Sequence, residues 1–598
     1  MTDFCSSPFY YKRNPTREII VGDPRDGGVI IGGDNPIVTQ SMLTADTMDT
    51  EACVRQTVEL VKAGCQIVRI TAPTVKDAEN LKNIVGRLRL MGIKVPIVAD
   101  IHFKPEAAME AVKWVEVIRI NPGNYADSKK FVLKSYTEEQ YKAAIERIEQ
   151  KFAPLVQKCI ELKRAMRIGV NHGSLSDRIM SRYGDTPQGM IESALEFARI
   201  ARKYNYHNFK FSMKSSNPKI MIQCYRLLVK ELNNLGEDWN YPLHLGVTEA
   251  GEGEDGRIKS AIGIGSLLCD GIGDTIRVSL TEDSVHEIPV CNELIKLVPH
   301  LTIKREQIPS EVLSELVRYS FPFDPYSYKR RNSAEVITSR GVAAGGTNVV
   351  RVFVTREQFE QLPDNLKNHP DIKPEGIFEL EKIIEVNPVG EIGNIPQGVF
   401  VTVSDTTPLP PIAAFRLLVA KLNEMGINNP ILLKDCWGRD NLPEVDTLLY
   451  SSVNIGSLLC DGIGDAIMVR AEKDASKALK LAFNILQSAG CRSFKTEYVA
   501  CPSCGRTLFN LQEVTARIKS RTSHLKGVKI AIMGCIVNGP GEMADADFGY
   551  VGGAPGKVNL YVGKTPVKFH VPESEAVDRL IDLIKEHGKW TDPQSESL

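Results

Sequence analysis

The sequence has no long hydrophobic run and almost no net charge. Its 598 residues carry 73 Lys and Arg against 74 Asp and Glu, so the formal net charge is −1. No overall basic field argues for a nucleic-acid partner, and any anion site must be built locally. No apolar segment approaches the roughly 20 residues of a membrane span, so we expect no membrane partner.

The N-terminal region also lacks the hydrophobic core of a signal peptide. It begins MTDFCSSPFYYKRNPTR and is not clearly a transit peptide. The 13 cysteines are an odd number. Most of them are scattered through apolar segments, which is typical of buried, reduced thiols. We therefore expect a cytoplasmic protein.

Short apolar strands alternate with amphipathic helices through the first half of the chain. This alternation predicts parallel strands with helical crossovers. Candidate strands occupy 36–42, 66–73, 96–103, 117–123, 166–175, 209–216, 242–251 and 274–280. Eight such units predict a (β/α)8 TIM barrel, in which the strand ends converge on an active site. An open doubly wound sheet is the weaker alternative, because no G-x-G-x-x-G follows a first strand.

Residues 301–490 contain a repeat of the end of the barrel. IGSLLCDGIGD occurs at 264–274 and again at 455–465, and YRLLVKELNNLG at 225–236 matches FRLLVAKLNEMG at 415–426. The nearly constant spacing indicates a duplication, so we expect a barrel-like insert. The chemistry is not copied, because Met468 stands where Arg277 does and Ser404 stands opposite Lys214. We infer a structural role for the insert.

Three cysteines and a carboxylate lie close together near the C-terminus. They are Cys501 and Cys504 in CPSCGR, then Cys535 and Glu542 in GCIVNGPGE. An iron–sulfur cluster with one oxygen ligand has an iron that can open toward a substrate, so the motif indicates a redox enzyme. Zinc ribbons share the C-P-x-C-G pattern, but a ribbon needs a second C-x2-C pair, and none follows. Glu542 taken alone also suits a solvated turn.

The pattern changes from about Cys491 onward. A helix over 511–521, a strand and turn, and a hairpin-like stretch after residue 548 are typical of a small α+β domain. The predicted domains are therefore a TIM barrel at 1–300, a barrel-like structural insert at 301–490 and an α+β iron–sulfur domain at 491–598.

Cations recur at the predicted strand ends of the barrel. They are Arg69, Arg119, Arg167, Lys214 and Arg277. One strand-end arginine is usually a salt-bridged structural residue, whereas five in one cleft need an anion, and a diphosphate matches that charge.

The same strand ends carry other polar side chains. They are Asn121, Asn171, Ser279, Asp100, His102 and Glu249. A lone histidine is more often a core or capping residue, and Glu249 also suits a simple pairing with an arginine. A carboxylic acid deep in a cationic pocket can, however, deliver a proton.

Eight motifs, in order, closely resemble the 4-hydroxy-3-methylbut-2-enyl diphosphate synthase family. They are ADIHF, RINPGN, RIGVNHGSL, SMKSS, GVTEAG, GIGDTIRVSLT, CPSCGR and GCIVNGPGE. The resemblance covers the barrel and the C-terminal domain, and no barrel or cluster motif departs from the family pattern. The 301–490 insert is similar to the long, three-domain form of the family.

The resemblance implies an activity in isoprenoid biosynthesis by the methylerythritol phosphate route. The reaction is the reductive ring opening and dehydration of 2-C-methyl-D-erythritol 2,4-cyclodiphosphate to (E)-4-hydroxy-3-methylbut-2-enyl diphosphate. It implies a 4Fe-4S cluster on Cys501, Cys504, Cys535 and Glu542. It also implies that ferredoxin or flavodoxin supplies two electrons.

The hypothesis assigns roles to the site residues. The five cations, the two asparagines and Ser279 bind the substrate, and Glu249 protonates the departing hydroxyl group. Asp100 and His102 orient the substrate or relay protons, and Glu542 gives up its iron to a substrate oxygen. The sequence leaves open whether the chain forms a homodimer with sites shared between its chains.

Two other classes of protein remain open at this point. A phosphate-binding barrel with a zinc ribbon for partner or RNA binding is one, although the near-zero net charge speaks against it. A sulfite-reductase-like protein is the other, because the C-terminal domain resembles a module of those enzymes. That alternative needs a tetrapyrrole site, for which the sequence shows no separate motif.

Overall fold

The computed structural model describes residues 4–127, 135–438, 442–536, 539–543 and 545–593. Val537 and Asn538 of the predicted cysteine motif lie outside these ranges. Within the described ranges, every helix is too short or too polar to cross a membrane.

The described residues of the first half of the chain form ten strands. They are β1 Ile19–Val21, β2 Val29–Ile31, β3 Val38–Met42, β4 Ile67–Thr71, β5 Ile97–Ile101, β6 Val117–Ile120, β7 Ala165–Asn171, β8 Phe209–Lys214, β9 His244–Leu245 and β10 Thr275–Ile276. Eight of them form one sheet in the order β8-β7-β6-β5-β4-β3-β10-β9. A parallel bridge between Phe211 and Leu243 joins the two outer strands, so the sheet closes on itself. The predicted eight-stranded barrel is confirmed.

Helices cover the outside of this barrel. They are α1 Thr50–Lys62, α2 Val75–Leu90, α3 Pro105–Ala111, α4 Pro122–Tyr125, α5 Glu138–Glu161, α6 Asp177–Tyr183, α7 Pro187–Lys203, α8 Pro218–Leu235, α9 Gly253–Ser260, α10 Ser266–Cys269 and α11 Glu287–Leu301. Local sequence sets several of their starts. Thr74 and Asp77, for example, form a capping box that begins α2.

Side chains along each barrel strand alternate between the helix layer and the barrel interior. In β4, Val68 and Ile70 pack in the core beneath the helices, whereas Ile67 joins a separate apolar cluster. That cluster also holds Ile19 and Val21 of the β1–β2 hairpin. Apolar side chains thus occupy the end of the barrel where the strands begin, and the predicted site residues lie toward the carboxyl ends of the strands.

The last two barrel strands are shorter than the sequence predicts. Strands β9 and β10 have two residues each, against predicted ranges of 242–251 and 274–280. The chain leaves the ladder after Leu245 and Ile276, and the following residues build the mouth of the barrel. Glu249 lies in this stretch with a φ of 49°, which is incompatible with a continuing strand.

The insert has six parallel strands and a short hairpin. Its strands are β11 Val336–Ile337, β12 Ala343–Ala344, β13 Arg351–Val354, β14 Gly376–Ile377, β15 Ile383–Val386, β16 Phe400–Val403, β17 Leu432–Lys434 and β18 Ala466–Met468. Its helices are α12 Ser310–Leu316, α13 Arg356–Gln361, α14 Asp364–Lys367, α15 Pro411–Glu424, α16 Thr447–Cys460 and α17 Ala475–Ser488. The order is β14-β13-β18-β17, and a bridge between Val401 and Ile431 adds β16 and β15. These pairings give one row of six parallel strands, and the barrel-like character of the insert stays a prediction.

Equivalent residues of the duplicated segments meet across the contact between barrel and insert. The hydroxyl groups of Ser266 and Ser457 are 2.7 Å apart. A Cβ atom added to Gly265 would meet Val453, and one added to Gly456 would meet Ile262. This reciprocity is the pattern of an isologous interface, formed here within one chain.

A buried charge network completes this interface. Arg226 donates to Asp270 at 2.9 Å and to Asp461 at 2.7 Å. Arg416 mirrors it, donating to Asp461 at 3.0 Å and to Asp270 at 3.1 Å. Each of these side chains is almost completely buried. The network fixes the barrel to the insert, because each charge is compensated only by residues of both copies.

The C-terminal part forms a five-stranded mixed sheet in chain order. Its elements are β19 Glu497–Ala500, α18 Leu511–Thr522, β20 Lys529–Met533, α19 Gly539–Glu542, β21 Phe548–Ala554, β22 Lys557–Val562, β23 Thr565–Pro572 and α20 Glu573–Glu586. A parallel bridge between Ala250 and Ala500 joins this sheet to the barrel of the same chain. The α/β class and the C-terminal sheet agree with the sequence analysis, and the domain boundaries at 300 and 490 stay a prediction.

We expect Asp461→Asn to lower the free energy of unfolding by about 3–5 kcal/mol, because it leaves two buried arginines undercompensated. The shift is measured by chemical denaturation followed by circular dichroism. Glu575→Gln is the control, since it breaks an exposed pair with Arg579 that contributes about 0–1 kcal/mol. Equal effects of the two variants would contradict a fixing role for the buried network.

Candidate active site

The five predicted cations converge at the carboxyl ends of the barrel strands. All of them are buried and line one cavity of about 80 Å³. Asn171, Glu249 and Ser279 line the same cavity. The structure therefore brings eight of the predicted barrel residues into one wall, as the convergence of parallel strand ends requires.

Asp100 is the carboxylate that balances part of this charge. It accepts from Arg69 at 2.6 Å and from Arg119 at 2.9 Å. Burial alone would raise its pKa, but the two arginines hold the pKa of Asp100 well below its usual range. Asp100 is therefore ionised and acts as a counter-charge to the two arginines.

Arg167 and Lys214 have less compensation. Arg167 donates to Ser212 at 3.1 Å, while its Nε and Nη2 find no hydrogen-bond partner among the described residues. Burial, followed by the charges of Arg69 and Arg119, lowers the pKa of Arg167. Burial also lowers the pKa of Lys214, with Arg167 and Arg277 adding to the effect. Such a surplus of buried positive charge is suited to an anion with several charges.

Arg277 differs from the other cations. Its guanidinium makes a bidentate pair with Glu287, at 3.0 Å for both contacts. Glu287 also accepts from Ser41 at 2.6 Å, so it is held firmly in place. Arg277 therefore brings less uncompensated charge to the cavity than Arg167 does.

Three predicted residues lie behind the cavity wall. Asn121 caps the start of α4 and donates to Ser174 at 2.9 Å. His102 Nε2 lies 2.7 Å from Arg119 and 3.2 Å from Asp100. Burial and then Arg506 lower the pKa of His102 to about 3, so its ring is neutral. These contacts hold Arg119 and Asp100 in place, and the predicted roles in substrate binding and proton relay stay predictions.

Glu249 is the acid that reaches the cavity. It accepts a short hydrogen bond from the Thr248 hydroxyl group. Burial raises the pKa of Glu249, although Thr248 and Lys214 oppose this. A carboxyl group whose pKa is raised keeps its proton closer to neutral pH, which is the property of a general acid.

The cysteines close the cavity from the other side. Cys501 follows β19 and Cys535 follows β20, and both line the cavity together with Cys504. The Gly534 amide donates to Cys501 Sγ at 3.2 Å. Burial raises the pKa of Cys501, and Glu249 adds to that rise. The C-terminal domain thus sits over the barrel of its own chain.

Glu542 is positioned by the barrel. Asn171 donates to its Oε1 at 2.8 Å, which links the carboxylate to the Arg119 network. The barrel segment at Gly173 and the C-terminal segment at Gly541 also meet backbone to backbone here. A Cβ added to Gly541 would lie 1.7 Å from the Gly173 oxygen. Glu542 therefore lies at the seam of the two domains, beside the barrel mouth.

The donor set fits an iron–sulfur cluster. Three soft thiolates face one cavity, a backbone amide points at one sulfur, and a carboxylate lies nearby, which are the features that bind and tune such clusters. This fit is one of residue type and shared cavity, because among the described residues no group of three or more His, Cys, Asp or Glu side chains is arranged to hold a metal ion.

Arg506 is a site residue that the sequence analysis missed. It lines the cavity, and its Nη1 lies 3.5 Å from Asp100 Oδ2. Burial would lower the pKa of Arg506, but Cys504 and Asp100 raise it above its ordinary value. The sequence signal that could have identified it is its position in CPSCGR, two residues after the predicted cluster ligand Cys504.

Comparisons with known proteins agree with this geometry. The GcpE TIM-barrel domain model matches residues 16–292, and the GcpE protein C-terminal domain model matches residues 497–586. The chain belongs to the GcpE family. The GcpE models thus cover the barrel and the cysteine-bearing sheet, which are the two parts that line the cavity.

Relatives in the GcpE family match along the whole chain. One from Akkermansia muciniphila is 53% identical over 99% of this chain and 100% of its own length. One from Leptospira interrogans is 46% identical over 99% of both. Both are named 4-hydroxy-3-methylbut-2-en-1-yl diphosphate synthase (flavodoxin). A rice relative, 43% identical over 99% of this chain and 90% of its own length, carries the name with ferredoxin, chloroplastic.

We expect Gly541→Ala to loosen the seam between the domains. The new Cβ would overlap the Gly173 backbone, and overpacking of this kind costs about 1–3 kcal/mol. Faster hydrogen exchange in segments 172–174 and 539–542 is the expected readout. Gly86→Ala is the control, because nothing lies within 4 Å of a Cβ at that position. Unchanged exchange in Gly541→Ala would contradict the close contact.

Proposed function

We infer that the chain is a 4-hydroxy-3-methylbut-2-en-1-yl diphosphate synthase. Such an enzyme takes two electrons and one proton to convert 2-C-methyl-D-erythritol 2,4-cyclodiphosphate into (E)-4-hydroxy-3-methylbut-2-enyl diphosphate and water. The observation that carries this inference is one cavity lined by barrel cations and by three cysteines of the same chain. The cations suit the diphosphate, and the thiols suit a redox cofactor.

The barrel cations bind the diphosphate in this proposal. Arg167 has free donors, and Lys214 and Arg69 complete the positive wall. These groups are fixed before the substrate arrives and are shielded from water, so they stabilise the charge that grows on phosphate when the C–O bond breaks. Asn171 and Ser279 supply neutral hydrogen bonds at the same wall.

Cys501, Cys504, Cys535 and Glu542 would hold a 4Fe-4S cluster. When bound, the cluster supplies single electrons and an iron that accepts an oxygen ligand. The Gly534 amide and Arg506 lie against the sulfur side of the cavity. The seam between the domains excludes water, which protects reactive intermediates.

Glu249 provides the proton for dehydration in the proposed mechanism. Its carboxyl group lines the cavity and is held by the Thr248 hydroxyl group. It would protonate the substrate hydroxyl as the hydroxyl leaves as water. The names of relatives contain flavodoxin or ferredoxin, and we propose that one of these two carriers delivers the electrons.

Anaerobic purification and reconstitution test the cofactor. We expect about four iron and four sulfide per chain, with a broad band near ~400 nm that changes on addition of the cyclic diphosphate and dithionite. Cys535→Ser should lose most of the iron, whereas Cys491→Ser, which changes a cysteine outside the cavity lining, should retain it. One zinc per chain and no colour would overturn the redox function and leave a phosphate-binding barrel with a ribbon.

Glu249→Gln tests the proton donor. We expect turnover to fall by at least about a hundredfold, because the amide cannot give up a carboxyl proton. The dissociation constant for the cyclic diphosphate, measured by calorimetry, should stay nearly unchanged. Glu237→Gln is the matched control, since Glu237 is exposed. Near-normal turnover of Glu249→Gln would remove Glu249 from the acid role.

A further inference from the structure

Arg506 is the cation that the C-terminal domain brings to the cavity wall among the described residues. Its loop enters the mouth of the barrel. A Cβ added to the preceding Gly505 would lie 2.7 Å from Thr71 Oγ1 and 2.8 Å from the Ala45 oxygen. The side chain is 10% exposed, and its Nη1 lies 3.5 Å from Asp100 Oδ2. A guanidinium of one domain is thus buried against a carboxylate of the other.

The surroundings of Arg506 differ on its two sides. Toward the barrel, Asp100 is already held by Arg69 and Arg119 at 2.6 and 2.9 Å. Toward the cysteines, Cys504 and Cys535 line the same cavity. The Nε and Nη1 atoms of Arg506 have no hydrogen-bond partner among the described residues. Asp100 alone therefore does not account for this buried cation.

We propose that Arg506 is a positioning residue whose charge stabilises the reduced, more negative form of the cluster at Cys501, Cys504 and Cys535. The inference rests on the proposed function, because it requires an iron–sulfur cluster at those thiolates. The close approach of Gly505 to Thr71 and Ala45 places this charge at the barrel mouth when the cluster domain lies on the barrel.

The sign of the effect follows from electrostatics. Adding an electron makes the cluster more negative, and a cation nearby favours that form, which raises the reduction potential. The Arg506 side chain is buried in this seam, so the interaction is stronger than it is at a surface. An Asp100 carboxylate in the same seam acts in the opposite direction.

Arg506→Gln, Arg506→Lys and the control Arg517→Gln test the proposal. Arg517 lies on α18 of the same domain and is exposed. The readout is the midpoint potential of the reconstituted cluster, followed by electron paramagnetic resonance during a redox titration. We expect a lower potential in Arg506→Gln, a smaller shift in Arg506→Lys and none in Arg517→Gln. The value of kcat should fall in Arg506→Gln and fall less in Arg506→Lys, because a cluster of lower potential accepts electrons less readily.

Asp100→Asn provides a second test, in which the substitution lies in the barrel and the sequence of the cluster domain is not altered. It should raise the potential, because a negative charge is removed, and it decides the matter if Arg506→Gln fails to hold its cluster. An unchanged potential in Arg506→Gln overturns the inference while the proposed function stands. If Arg506→Gln does not hold its cluster, an unchanged potential in Asp100→Asn overturns it instead. A wild-type chain without iron and sulfide overturns the proposed function itself.

Discussion

A surplus of buried positive charge at the barrel mouth governs the arrangement of this protein. Burying a cation is costly unless an anion compensates it, and Asp100 is shared between Arg69 and Arg119. Arg167 and Lys214 carry pKa values lowered first by burial and then by their cationic neighbours. The carboxylates of the barrel therefore do not fully compensate its buried cations. Anions must come from outside it, as a multiply charged ligand and as the thiolates and carboxylate of the C-terminal domain.

The insert differs from the barrel in the charges at the ends of its strands. Its mouth is neutralised internally, because Asp405 accepts from Lys434 at 2.7 Å and from Arg470 at 2.8 Å. Met468, at the position of Arg277, is buried in an apolar cluster. The copy retains instead the face that meets the barrel, with Arg416 and Asp461 mirroring their equivalents. The two copies thus share the interface residues but differ in the charges at their mouths.

Sequence predicted the barrel well because buried parallel strands are continuous apolar runs bounded by polar ends. It overestimated β9 and β10, since nothing in 242–251 reveals that the chain leaves the ladder after Leu245. Strand alternation and the convergence of strand ends predicted which residues lie near the cavity. They did not predict which of those side chains line it and which lie behind it. Asn121 and His102 have the right spacing, yet Asn121 donates to Ser174 and His102 lies against Arg119, outside the cavity lining. Arg506 was missed because its role depends on a contact between domains, which periodicity within one segment cannot show.

The two seams of the barrel differ in a way that assigns them different roles. The seam with the insert holds four buried charges in a closed network, which cannot part without stranding them. The seam with the C-terminal domain holds separate buried contacts, Arg506 with Asp100 and Asn171 with Glu542. Partly exposed pairs such as Lys519 with Glu252 at 2.8 Å lie at its edge. We therefore expect the barrel and the insert to move as one body, and any opening that admits a diphosphate to the cavity to occur between the barrel and the C-terminal domain.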